Sequence, residues 1–279
     1  INNYAPMFGL VIAFKKIDWN KGILRSDWVG FDNFRYLFAS SEAWIMTRNT
    51  ILYNLAFIIL GTIAAIAVAI LLNEITSKFS VKVYQTLILL PYMISWVIGS
   101  YLIYAMLSSE TGLINQVIFK ALGIEPIVWY QEKKYWPFIL IIVNLWKSVG
   151  FSMVIYLASI VATNKEYYEA AKIDGARKWK QITNITLPLL KPTIITLIIM
   201  NIGGIFYSDF GLFYQVPRNS GALFDVTQTI DTYVYNALMQ QGNIALSAAA
   251  GFYQSIVGFV LVVIANAIVR KYSKESALF

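Results

Sequence analysis

Asn144, Lys147, Ser148, Phe151 and Ser152 fall at i, i+3, i+4, i+7 and i+8 inside an otherwise apolar run, so a helix gathers them into one stripe. An amide, two hydroxyls, a ring and one cation can hold a solute by hydrogen bonds, stacking and charge. Lys147 lies about eleven residues, or roughly 16 Å, into that run, where a charge is costly unless it meets water or a partner. The stripe therefore either lines a passage, or Lys147 snorkels or pairs structurally with a neighbouring subunit. The stretch Gly203-Gly204-Ile205-Phe206-Tyr207-Ser208-Asp209-Phe210 sets rings beside polar groups, with Tyr207 and Phe210 as candidates for contacting a solute. An interfacial aromatic belt after a flexible glycine pair fits it as well. Ser247, Gly251, Gln254, Ser255 and Gly258 share another face. Helix packing accounts for the small residues, which leaves Gln254 and Ser255 as polar candidates.

The chain has no cysteine and no histidine, which excludes disulfides, thiolate chemistry, Cys/His metal sites and a histidine base. Of its residues, 58% are hydrophobic and only 13% charged, about half the charged share of a soluble domain. Apolar stretches long enough to span a bilayer recur, so this is an all-α integral membrane protein. The net charge of +7 needs no nucleic acid, since basic residues on the cytoplasmic side explain it.

Six spans are expected. Residues 1–14 would rise roughly 21 Å as a helix, short of a core of about 30 Å, and read as the end of a first span truncated at its N-terminus in this numbering. The others run over Asn49–Leu72, with Gly61, Ala65 and Ala69 spaced by four, Thr86–Leu107, which contains Pro91, Trp136–Ala162, Pro192–Tyr207 and Ser247–Val269. Trp44, Trp129, Tyr130, Trp136 and Tyr272 stand at span ends as interfacial anchors. Segments 73–86, 163–191 and the tail after Val269 carry about eleven basic residues in about 54 positions, against about ten in about 101 on the opposite side. That density sets the first group, and the C-terminus, in the cytoplasm.

The loop at 163–191 is long and polar. Asn164 is an N-cap candidate, acids crowd the next two turns, and Gly175 ends the helix or permits a tight turn. A second short helix carries Ala176, Trp179 and Ile182 on one face, and Pro188 and Pro192 are expected to stop it and restart the chain into the fifth span.

Glu169-Ala170-Ala171, Asp174-Gly175-Ala176 and, ten residues past Gly175, Ile185-x-Leu187-Pro188 resemble the EAA loop of ABC importer permeases. The fuller form, with Pro192, is similar to the carbohydrate-uptake, maltose-permease-like branch. Ile230-Asp231-Thr232-Tyr233-Val234-Tyr235, Gln254-Ser255, Asn266 and the ending Ser276-Ala277-Leu278-Phe279 resemble the subgroup that takes up oligosaccharides from polysaccharide breakdown. The resemblance implies one permease domain over 1–279 with a type I importer fold and residues 163–191 as its cytoplasmic coupling loop. It implies a non-enzymatic subunit of a bacterial cell membrane that translocates oligosaccharides, with acidic, polysaccharide-derived ones among the candidates, by alternating access. Glu166, Tyr167, Glu169, Ala170, Ala171, Asp174, Gly175 and Ala176 would couple to the ATPase. The implied partners are a second homologous permease, two ATPase subunits holding ATP and magnesium, an extracellular solute-binding lipoprotein and membrane lipid. No GxxxxGK[ST] phosphate loop is present, so ATP is expected elsewhere. Sugars also suit rings beside polar groups, because their C–H faces stack while their hydroxyls need partners.

Two rivals remain at this level. One is a permease of the same machine type for a non-sugar solute. The other is an ion-coupled secondary transporter, which usually shows internal repeats and membrane-buried acids. No acidic residue lies well inside these spans, and no internal repeat is evident.

Overall fold

The computed structural model describes residues 5–272 and is almost wholly helical. A 3₁₀ helix, Ala5–Phe14, leads into the two-residue strands β1 (Lys15–Lys16) and β2 (Asp27–Trp28), which pair antiparallel with Lys15 opposite Trp28. Then follow α1 (Asp32–Ala39), α2 (Ser41–Asn73), α3 (Lys78–Met93), α4 (Trp96–Leu107), α5 (Trp136–Val161) and α6 (Glu166–Ile173). The chain continues with α7 (Leu187–Gly203), α8 (Phe210–Gln215), α9 (Ile230–Met239) and α10 (Ile244–Tyr272).

Among the described residues, four continuous helical stretches are long and apolar enough to cross a membrane: Ser41–Asn73, Lys133–Val161, Lys178–Gly203 and Ile244–Ala267. The pair α3 and α4 makes a fifth span if counted as one. Ala5–Phe14 rises about 20 Å at the 3₁₀ pitch, too little to cross alone, and the start of the expected first span, residues 1–4, lies outside the described residues.

Two spans differ from the sequence reading. The third is broken rather than continuous. α3 stops two residues after Pro91, Ile94 turns extended (φ −76°, ψ 134°) and donates to Pro91 O, and α4 begins at Trp96. Proline supplies no N–H to the helix ladder, and its ring crowds the carbonyl four residues back. The break leaves α3 with orphan C-terminal carbonyls that need other donors.

The fifth span starts earlier than expected. Lys178–Gln181 is helical, a π turn over Ile182–Thr186 follows, and α7 continues without a stop. Pro188 and Pro192 therefore neither end nor restart the helix. Pro188 sits in the first turn of α7, directly after the widened π turn, where its missing N–H costs least.

Contacts divide the chain into two compact units. The first comprises the chain up to Asn54, Trp96–Leu140 and Gly204–Val262. Met46, Phe206, Ile230, Tyr233 and Leu246 form the middle of its core. Buried polar groups there are all bonded: Asn49 Nδ2 donates to Gln228 O (2.9 Å), Tyr53 Oη to Val226 O (2.6 Å), and Ile230 N–H to Thr50 Oγ1 (3.1 Å). The second unit comprises Leu55–Ser95, Ile141–Gly203 and the chain from Val263. Ala65, Ala69, Met153, Tyr156 and Leu190 are fully or almost fully buried in its core. The small residues at 65 and 69 let α2 approach its neighbours closely, as their spacing suggested.

Candidate functional site

The coupling-loop candidates lie in the second unit. The N-cap position of α6 is Lys165, whose side chain makes no cap bond, rather than the expected Asn164; Asn164 Oδ1, one residue earlier, accepts Glu166 N–H (3.0 Å). At the other end Gly175 adopts φ +75°, Gly175 N–H donates to Lys172 O (3.0 Å) and Ala176 N–H to Ala171 O (2.8 Å). These two bonds are the Schellman pattern, which needs a left-handed residue at the position of Gly175. The turn leaves Glu166, Tyr167, Glu169, Ala170, Asp174 and Gly175 exposed, with Ala171 and Ala176 half-buried beneath them.

The loop is anchored from below. Tyr168 Oη bonds Thr186 Oγ1 (3.0 Å), Gln181 Nε2 donates to Ala176 O (2.8 Å), and Lys178 pairs with Glu74 at the end of α2. Ile173 and Trp179 project outward, 87% and 73% exposed. An apolar tip on an otherwise polar loop is a surface made to be covered. Trp179, on the face it was expected to share with Ala176 and Ile182, thus points outward.

The stripe on α5 also lies in the second unit, and its residues are brought together as expected. Asn144, Lys147 and Ser148 are half-buried, and Ser148 Oγ donates to Asn144 Oδ1 (3.3 Å). Lys147 Nζ donates to the carbonyls of Pro91 (3.2 Å), Tyr92 (3.0 Å) and Ile94. The ammonium thus caps the broken end of α3, with one donor for each of three carbonyls, and its charge complements the negative end of that helix. It also stands 5.9 Å from the Tyr92 ring centroid, while Phe151 stacks on the same ring at 4.8 Å and 16°. The chain's own backbone carbonyls thus hold the ammonium. Ser152, the fifth member of the stripe, is half-buried.

Gly150, which the sequence reading passed over, makes this possible. A Cβ there would fall 2.2 Å from Ile88 O and 2.9 Å from Leu89 Cα. α5 therefore crosses α3 in backbone contact, one turn from Lys147. A glycine between two polar members of a stripe was the available signal.

The remaining candidates lie in the first unit. Tyr207 is 47% exposed, its ring beside Gly258. Phe210 opens α8 and stacks on Tyr214 at 4.9 Å, and Tyr235 of α9 approaches both rings at 4.9 and 5.0 Å. Burial, then the neighbouring Tyr235, raises the Tyr214 phenol above its ordinary value. Asp209 caps α8 through Leu212 N–H and accepts Trp96 Nε1 at 2.6 Å. Trp96 and Tyr214 were not singled out from sequence, and Asp209 and Tyr235 were read only within longer stretches, because their convergence depends on contacts between distant segments.

Gln254 is buried and donates to Phe206 O (2.9 Å) and Asp231 Oδ2 (3.1 Å), and the same carboxylate oxygen accepts Ser208 N–H and Ser208 Oγ, each at 2.7 Å. Ser255 Oγ bonds Gly251 O within α10. Both side chains thus spend hydrogen-bonding capacity on the fold. Among the described residues no group of three His, Cys, Asp or Glu side chains could hold a metal ion.

Residues 46–274 match the family described as binding-protein-dependent transport system inner membrane component. The polygalacturonan/rhamnogalacturonan transport system permease protein YteP of Bacillus subtilis (strain 168) is 36% identical over 98% of this chain and 84% of its own length. LplB of the same strain is 32% identical over 99% of this chain and 86% of its own. Among solved structures, a bacterial ABC transporter involved in the import of the acidic polysaccharide alginate superposes with a TM-score of 0.88 at 32% identity, covering 98% of this chain and 91% of that one. The same likeness holds for a bacterial alginate ABC transporter in complex with alginate pentasaccharide-bound periplasmic protein, with a TM-score of 0.87 at 32% identity, over 98% and 90%.

Proposed function

The chain belongs to the family of binding-protein-dependent transport system inner membrane components, and on that premise we propose that it is the permease subunit of an ABC importer that carries oligosaccharides, acidic ones in particular. The observation that carries this reading is the exposed helix Glu166–Ile173, closed by the left-handed Gly175 and tied through Lys178 into a helix that runs unbroken to Gly203. A docking face rigidly joined to a membrane span is what a motor on a separate subunit needs.

ATP and magnesium would act on two partner ATPase subunits. Closure of that pair would push on Glu166, Tyr167, Glu169, Ala170 and Asp174, and the lever from Lys178 to Gly203 would shift the path between inward- and outward-facing states. A second, similar permease would complete the path and an extracellular solute-binding protein would deliver the sugar. The alginate transporter seen with a periplasmic protein supports that last partner. The basic density of the coupling-loop side supports a cytoplasmic loop and C-terminus.

The acidic preference rests on Lys147. Its ammonium lies within an apolar span and donates to backbone carbonyls. With its donors engaged by carbonyls, the ammonium would draw a carboxylate on a sugar by charge alone, an attraction that a low-dielectric setting strengthens. Asn144 and Ser148 would bond sugar hydroxyls, and Phe151 on the same stripe would offer a ring face.

The test is coupling. In proteoliposomes holding the full importer, Gly175→Val should insert and assemble normally yet lose substrate-stimulated ATPase activity and uptake together. A branched residue at φ +75° breaks the Schellman turn. Uptake at the unsubstituted rate would remove the lever from the account.

A further inference from the structure

A groove of about 370 Å³ opens in the second unit between the end of α2, α3 and α5. Its walls are apolar: Leu72, Ile75, Val81, Val154, Leu157 and Val161, with Ala158 between them. Two amides, Asn73 and Gln85, add the polar groups.

Charge lies on one wall only. On α3, Lys78, Val81, Lys82 and Gln85 recur at i, i+3, i+4 and i+7, so the two lysines flank the helix face that lines the groove. Both are exposed, and neither forms an ion pair among the described residues. The nearby acid in sequence, Glu74, is already held by Lys178. The lysines stand in the first two turns of α3, at the level where the apolar α2 has just ended at Asn73. That is the water boundary of the span. An apolar slot running inward from two unpaired cations at that boundary complements a molecule with a hydrocarbon tail and an anionic head.

We propose that this groove binds one anionic phospholipid, its acyl chain between α3 and α5 and its phosphate between Lys78 and Lys82, with Asn73 and Gln85 bonding the glycerol region. The membrane supplies this ligand at high concentration, so the site is occupied throughout transport.

The test uses the assembled importer in nanodiscs of phosphatidylcholine with one-fifth phosphatidylglycerol, followed by counting retained lipid by native mass spectrometry. Wild type should retain phosphatidylglycerol over phosphatidylcholine. Lys78→Gln with Lys82→Gln should weaken that preference about thirtyfold, the factor for two basic residues near an anionic surface at about 1 kcal/mol each. Ala158→Phe fills the groove without touching the charges, and it should also lose the lipid. Equal retention of both lipids by wild type would overturn the proposal. So would loss with the lysine variant but not with Ala158→Phe, since the contact would then be diffuse electrostatics. If Ala158→Phe instead releases the second permease subunit, the groove is a protein interface and the lipid site is wrong.

Discussion

Gly150→Ala should be among the most damaging single-methyl changes in the second unit. The added Cβ would lie 2.2 Å from Ile88 O, 2.8 Å from Ile88 C and 2.9 Å from Leu89 Cα. All three are backbone atoms, so no side-chain rotation relieves the clash. Restoring a carbon–oxygen contact of about 3.3 Å parts α5 from α3 by about 1 Å. Lys147 is one turn away, and its bonds to Pro91 and Tyr92, now 3.2 and 3.0 Å, would stretch to about 4 Å and be lost. Overpacking costs about 1–3 kcal/mol. One or two bonds from a charged donor add about 1.5–3 kcal/mol each, of which part is recovered because the end of α3 is partly exposed. The sum is about 3–5 kcal/mol. At about 2 °C per kcal/mol for a large chain, the purified importer should melt about 6–10 °C lower. The control is Gly61→Ala, whose Cβ would meet only Leu145 Cδ2 at 3.9 Å, an ordinary contact. It should melt within about 1 °C of the unsubstituted protein, at the scale of a surface change. Two variants melting alike would refute the claim that backbone contact at Gly150 seats Lys147.

Three further outcomes are expected. Gly211→Ala would bring a Cβ to 2.1 Å from Trp96 Cδ1, on a ring pinned by Asp209, and should destabilise by about 1–3 kcal/mol in thermal unfolding; pairing it with Trp96→Ala should recover part of the loss, and no recovery would show the clash lies elsewhere. Pro188→Ala should leave helicity and melting within about 0.5 kcal/mol, because the π turn already accommodates that position; a large change by circular dichroism or melting would mean the proline shapes the turn. Since the chain has no native cysteine, Ile173→Cys and Trp19→Cys give clean sidedness probes, and an impermeant thiol reagent added to whole cells should label position 19 and spare position 173; the reverse pattern would invert the topology.

What the sequence disclosed was what depends on local pattern. Span positions followed from apolar length. The turn at Gly175 followed from its place between an acid-rich amphipathic helix and a basic segment. The α5 stripe followed from helical periodicity. The misses share one cause, which is that backbone groups from distant segments are silent in a sequence. Pro91 alone is compatible with a kinked helix or a broken one. The break became affordable because an ammonium 56 residues away meets the freed carbonyls. Lys147 was visible as an expensive charge, but its partners carry no side-chain signature, so the reading looked for them in substrate or another subunit. Pro188 escaped the local rule for helix stops because a π turn precedes it directly, while Pro192 stands inside α7 and the helix continues past it. The rings around Phe210 and the indole of Trp96 on Asp209 needed the fold before they could be seen as one cluster.

The most direct measurement is the uptake ratio of acidic to neutral oligosaccharides of equal length by the reconstituted importer, with Lys147 and with Lys147→Gln. Glutamine keeps a donor for the α3 carbonyls while removing the charge. The account predicts that acidic uptake falls at least tenfold, a loss of about 1.4 kcal/mol or more, while neutral uptake and assembly hold. Equal losses for both sugars, or no loss for either, would contradict it and leave Lys147 as a helix cap alone.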